Sequence, residues 1–135
     1  MYLLDTNVVS ELRRARPHGG VVAWLRDVDD AALHLSAVTL GEIQTGIERT
    51  RGRDDGRAAE IERWADELAG AYNVIPMDVA AFRLWAKLMH GKSDALYEDA
   101  MIAATAIVRG LTVVTRNVDD FVALRTPTLN PFERP

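Results

Sequence analysis

Five side chains in this sequence could do chemistry together: Asp5, Glu42, Asp99, Asn117 and Asp120. Each stands where an apolar run meets a polar one. Asp5 ends the run 2–4, Glu42 follows the run 32–35, Asp99 opens 100–108, and Asn117 and Asp120 follow 111–115. Two carboxylates ~4 Å apart repel by about 4 kcal/mol at an effective dielectric near 20, so several in one pocket destabilise a fold unless protons or a cation enter. The chain has no Cys and three scattered His. Its ligands are therefore hard oxygens, suited to Mg²⁺ or Mn²⁺ rather than to a thiolate or imidazole cage. Such ions activate water and stabilise charge in phosphodiester cleavage.

Every one of these acids also has a plain structural explanation. Asp5, with Thr6 and Asn7, offers side-chain oxygens that open a helix. Thr39 and Glu42 fit the reciprocal capping box, with Val38 and Ile43 as its hydrophobic staple. Asp99 is a favourable charge at a helix N-terminus. What sets the acids apart is convergence, and that depends on the elements that carry them.

Those elements alternate. Strands are expected at 2–4, 32–35, 72–75 and 111–115, with a weak last strand near 127–129. Between them lie amphipathic helical patterns: Val8 to Leu12; Val21, Val22, Leu25 and Val28; a helix through Ile43 and Ile47 to about Arg51; and Ala58, Ile61, Ala65 and Leu68. A later helix capped by Asp78 has the stripe Val79, Phe82, Trp85 or Ala86, and Met89. The segment 100–108 is apolar nearly all round and reads as a covered helix. Gly52 to Gly56 is a polar tip, and Arg13 to Gly20 is a basic loop that is either a solvated helix end or a phosphate-contacting rim. Alternation of this kind implies a doubly wound parallel α/β sheet of four to five strands with helices on both faces, one domain over 1–135. All strand ends carrying the acids then share one edge, where open α/β sheets bind ligands.

Composition narrows the partners. A formal net charge of -4 argues against sequence-blind adhesion to nucleic acid, yet allows a nucleic-acid enzyme whose acids are gathered at one site. No apolar run is long enough to span a bilayer and no signal peptide is evident, so the expected compartment is the cytoplasm, with no membrane partner.

The motifs Leu3-Leu4-Asp5-Thr6-Asn7-Val8-Val9-Ser10-Glu11, Thr39-x-x-Glu42, Asp99-x-x-Ile102-Ala103-Ala104-Thr105-Ala106, Val114-Thr115-Arg116-Asn117-x-x-Asp120-Phe121 and Asn130-Pro131-Phe132 run in order along the chain. In this the chain resembles the PIN-domain ribonucleases of the VapC toxin type. The resemblance implies a Mg²⁺-dependent endoribonuclease, the toxin of a type II toxin–antitoxin system, acting on cellular RNA by metal-activated water and held inactive by a cognate antitoxin. Asp5, Glu42 and Asp99 match the family's acidic metal site. The fourth position is filled by Asn117 or by Asp120, since some members carry Asp where this chain has Asn117. On the mechanism the resemblance implies, Asp5 and Asp99 hold the principal ion while Glu42 and Asp120 place a second ion or water. It also implies a homodimer, for which Trp24, Trp64 and Trp85 offer more aromatic surface than one small core needs.

Other readings fit less well. A haloacid-dehalogenase-like phosphatase needs a general acid where Asn7 stands, and a phosphoacceptor receiver domain needs a Lys after a late strand, whereas Lys87 and Lys92 precede it. A PIN-like RNA-binding or protein-interaction module without catalysis remains the non-enzyme alternative, and the joint presence of Asp5, Glu42 and Asp99 argues against it.

Overall fold

The computed structural model describes residues 1–133; Arg134 and Pro135, the end of the expected 1–135 domain, lie outside the described residues. The strands are β1 (Tyr2–Leu4), β2 (Leu33–Ser36), β3 (Asn73–Ile75), β4 (Thr112–Val114) and β5 (Thr128–Leu129). They form one parallel sheet in the order β3-β2-β1-β4-β5, so β1 is central, with Leu4 opposite Leu35 on one side and Val114 on the other. The order reverses between β1 and β4. A crevice opens outside the carboxyl ends at such a reversal, and Asp5 and Thr115 are the residues that follow those two strands.

The helices are α1 (Thr6–Glu11), α2 (Gly19–Asp27), α3 (Ala37–Arg51), α4 (Asp55–Ala71), α5 (Val79–Met89), α6 (Tyr97–Arg109) and α7 (Val118–Ala123). Strand side chains alternate between the faces. Leu4, Leu33, Leu35 and Val114 point to a core shared with Val8 and Val9 of α1, Val21 and Trp24 of α2, Ile43 and Ile47 of α3, and Ala58, Ala65 and Leu68 of α4. Leu3 and Val113 point the other way, onto Ala100, Ile102, Ala103 and Ala106 of α6 and Phe121 of α7. The expected doubly wound α/β sheet with helices on both faces is thus present, with five strands. α6 ends at Gly110, whose φ of 68° is the left-handed conformation that a Cβ disfavours. Among the described residues, no helix is long and apolar enough to cross a membrane.

Three local expectations change. α3 begins at Ala37, capped by Ser36, whose hydroxyl accepts from Val38 N at 3.1 Å. Thr39 therefore lies inside the helix and is buried, and Val38 and Ile43 pack into opposite cores, so the capping box and staple are not formed. On α5 the inward stripe is Ala81, Trp85, Leu88 and Met89, leaving Val79 and Phe82 exposed, because α6 packs against that other side. The tryptophans are largely inside: Trp24 is buried edge-on to Tyr2, and Trp64 and Trp85 pack against the two cores.

Candidate active site

β1 carries Asp5 to the carboxyl edge. Its N–H donates to Val114 O at 2.9 Å, extending the sheet by one rung, and the residue is only 3% exposed. Both carboxylate oxygens are engaged, with Oδ1 left room for a further partner: Oδ1 accepts from Thr6 N at 2.8 Å, and Oδ2 accepts from the Thr115 hydroxyl at 2.7 Å and from Asn7 Nδ2 at 3.1 Å. Burial nonetheless raises its pKa; the three donors oppose that rise and the nearby charge of Asp120 adds to it.

Asp99 arrives from the opposite core, in the first turn of α6, where Leu96 at the cap position supplies no side-chain bond. Burial, and then the charges of Asp5, Asp120, Glu42 and Glu98, push its carboxyl up to about 7. Glu42 comes from α3. With the capping box gone, its carboxylate instead accepts from Thr6 Oγ1 at 3.1 Å, and Thr6 Oγ1 lies 3.2 Å from Thr39 Oγ1. Burial raises Glu42 as well, the Thr6 bond opposes, and the charges of Asp5 and Glu98 add to the rise.

Asn117 occupies the cap position of α7 and Asp120 its first turn. The Asn117 N–H donates to Thr115 Oγ1 at 2.9 Å, so the same hydroxyl that bonds Asp5 fixes the start of this segment. Asn117 and Asp120 line an open, polar cleft with Arg116, Asp119, Asn130 and Glu133, while Glu42 and Thr6 face a second cleft lined by Arg13 and Trp64.

The charges of Asp5, Glu42 and Asp120 thus all act on Asp99, four acids from four elements. Among the described residues none of the four is in an ion pair with Lys, Arg or His. Nor, among those residues, do three acidic or His side chains close around a common point, so this is an open set of oxygens rather than a finished cage. That chemistry fits a hard divalent cation of the Mg²⁺ kind, which takes one or two carboxylates and keeps several waters. Hydroxyl and amide partners were not among the sequence candidates: Thr6, Asn7 and Thr115 hold the acids, Thr39 meets the Thr6 hydroxyl, and Glu98 adds to the field of the acids. For Thr6, Asn7 and Thr115 the signal was position alone, within two of Asp5 or directly after β4; Thr39 and Glu98, inside α3 and α6, carried no such signal.

A parallel sheet with acids gathered where its strand order reverses defines an α/β protein with an acidic carboxyl edge. The family model described as "PIN domain" matches residues 2–125, and the chain belongs to that family. The VapC ribonuclease Y4jK of Sinorhizobium fredii is 36% identical over 98% of this chain and 99% of its own length. Toxin FitB of Neisseria gonorrhoeae is 33% identical, again over 98% of this chain and 99% of its own. The crystal structure of FitAcB from Neisseria gonorrhoeae has a chain that superposes with a TM-score of 0.83 at 32% identity, covering 99% of this chain and 100% of that one.

Proposed function

We propose that the chain is a metal-dependent endoribonuclease, the toxin of a type II toxin–antitoxin pair, hydrolysing phosphodiester bonds of RNA with Mg²⁺ or Mn²⁺. The observation that carries this is the meeting of Asp5, Glu42, Asp99 and Asp120 from four elements at one edge, with no basic partner among the described residues. Relatives named ribonuclease and toxin, aligned over nearly their whole lengths, support the reaction and the biological role.

In this reading Asp5 and Asp99 hold the principal ion, and Glu42 and Asp120, with Asn117, orient water or a second ion. A bound divalent cation supplies Lewis acidity, making water a better nucleophile and offsetting charge on the phosphate. The chain's own part is positional. Thr115, Asn7 and Thr6 hold Asp5 in one rotamer by occupying both its oxygens, and Thr6 ties Glu42 to the same hydroxyl network. Burial of Asp5 among β1, β4 and α1 keeps bulk water off the side away from substrate.

The antitoxin partnership follows from the relatives, among them the FitAB complex bound to a DNA fragment. A homodimer is proposed from the outer face of α5 and the start of α6, where exposed Phe82 meets Trp85 edge-on and Trp85 lies 4.8 Å from the ring of exposed Tyr97. The cytoplasm is the compartment proposed with them.

The test is cleavage of single-stranded RNA with Mg²⁺ or Mn²⁺ present, and its loss in EDTA. Cleavage persisting in EDTA, after a control for contaminating nuclease, would overturn the metal-dependent mechanism.

A further inference from the structure

Arg116 is exposed beside the acidic edge, yet among the described residues it pairs with no carboxylate, although Asp119, Asp120 and Glu133 line the same cleft. Its guanidinium lies instead over the ring of Phe132, 3.8 Å from the centroid. That stack is built from several directions. Phe132 packs onto the first core, and its N–H donates to Asn130 Oδ1 at 3.0 Å, closing the turn 130–132 around buried Pro131. His18 lies 5.2 Å from the same ring, and its own N–H donates to buried Glu11 at 2.8 Å. At the other end, the Arg116 backbone N–H donates to Asn7 Oδ1 at 3.2 Å, while the amide nitrogen of Asn7 bonds Asp5.

A guanidinium lying on an aromatic face keeps its N–H fork in the plane, free at the rim, and loses little rotamer freedom when it binds. The planar fork matches two oxygens of a phosphate. The Asn7 amide therefore ties the backbone that carries this cation to the central acid of the site. The geometry points to Arg116 as the residue that seats a phosphate of the RNA backbone next to the acidic edge, with Phe132 and the turn 130–132 as its positioning element. This rests on the ribonuclease reading and adds a subsite to it. A cation held here also offsets the repulsion between a polyanion and the uncompensated carboxylates, a task that a net charge of -4 leaves to a few local residues.

The experiment compares the full chain with Arg116→Ala, Arg116→Lys and Phe132→Leu, each checked for its melting temperature. Steady-state cleavage of a single-stranded RNA in Mg²⁺ gives KM and kcat. Binding of the same RNA, fluorescently labelled, is followed over a series of monovalent salt concentrations in an Asp5→Asn background. Arg116→Ala should raise KM about tenfold with kcat changed less than threefold, as for one lost charge-assisted bond, and should reduce the salt slope of log K by about 0.7. Arg116→Lys should restore the slope but only part of KM, since a point charge replaces the fork. Phe132→Leu should keep the slope and raise KM a few-fold. Wild-type KM and slope in Arg116→Ala would overturn the assignment, as would a fall confined to kcat, or weakened antitoxin binding with RNA binding intact. A wild-type chain that neither cleaves nor binds RNA would instead remove the ribonuclease reading itself.

Discussion

The Thr115 hydroxyl stands 2.7 Å from Asp5 Oδ2 and accepts from the Asn117 N–H at 2.9 Å, so its one proton is committed to Asp5. A residue after β4 thereby holds the acid after β1. Thr115→Val keeps the shape and removes the bond, leaving a buried carboxylate short of a donor. We expect a loss of about 1 to 3 kcal/mol of stability in urea unfolding, and cleavage that needs more Mg²⁺ for half-maximal rate. An unchanged midpoint and unchanged Mg²⁺ requirement would show the bond to be idle.

The pH dependence of stability without metal has a definite sign. Asp99 is held near 7 by burial and by its acidic neighbours, and Asp5 and Glu42 are raised too. A raised carboxyl favours the folded state fully below its unfolded pKa, and that contribution is lost as pH rises through the folded value. In EDTA the melting temperature should therefore fall between about pH 4 and pH 7 on account of these groups. Glu48 and Glu62, lowered by their bonds with Arg51 and Gln44, act in the opposite sense, but on a screened helix surface. Asp99→Asn should flatten the fall. A wild-type melting curve rising steadily across this window would contradict the assigned burial of the acids.

Asp99→Asn also separates a ligand from a helix-end charge. As a favourable charge in the first turn of α6, Asp99 would contribute about 0.3 to 1 kcal/mol, and its loss would lower stability. Crowded against Asp5, Asp120 and Glu42, its neutralisation relieves repulsion. We expect a higher melting temperature in EDTA, loss of most of the Mg²⁺ stabilisation, about 2.7 kcal/mol for the wild type at a hundredfold excess over Kd, and no cleavage. A mutant that melts lower yet keeps its Mg²⁺ response would return Asp99 to the role of helix-end charge.

Asn117 and Asp120 share one cleft, but only Asp120 adds charge to Asp5 and Asp99. Asp120→Asn should cost more activity at limiting Mg²⁺ than Asn117→Ala. A metal titration giving the reverse order would assign the fourth position to Asn117.

The exposed Phe82 on α5 predicts self-association. Light scattering should find a dimer at tens of micromolar, roughly where weak pairs form. Phe82→Glu should shift it to monomer without changing the circular dichroism spectrum. A wild type that is monomeric throughout removes the dimer.

Strands were legible in the sequence because short apolar runs bounded by polar residues have few other uses, and the acids were legible because Asp5 ends such a run, Asp99 opens the apolar helix 100–108, and Glu42 and Asp120 follow shortly after strands. Details decided by packing were not. Ser36 and Thr39 are both competent caps; the choice falls to Ser36 because it ends β2, paired with Ile75 across the sheet. The stripe of α5 could face inward on either of two sides, and with α6 packed against it the inward residues are Ala81, Trp85, Leu88 and Met89. The hydroxyls of Thr6, Thr39 and Thr115 look ordinary until distant segments bring them to Asp5 and Glu42.

The placing of β1 between β2 and β4 also sets when the molecule becomes armed during its own synthesis. Asp5 and Thr115 are 110 positions apart, and until β4 has been translated and has left the ribosome the central strand has one bare edge and its acid lacks Thr115 as a partner. Domains emerge from the N-terminus first and fold as units. A truncated or stalled chain ending before β4 therefore carries Asp5, Glu42 and Asp99 without the side of the crevice that Thr115, Arg116, Asn117 and Asp120 supply, and the acidic edge is complete only once β4 and the segment to Asp120 have emerged.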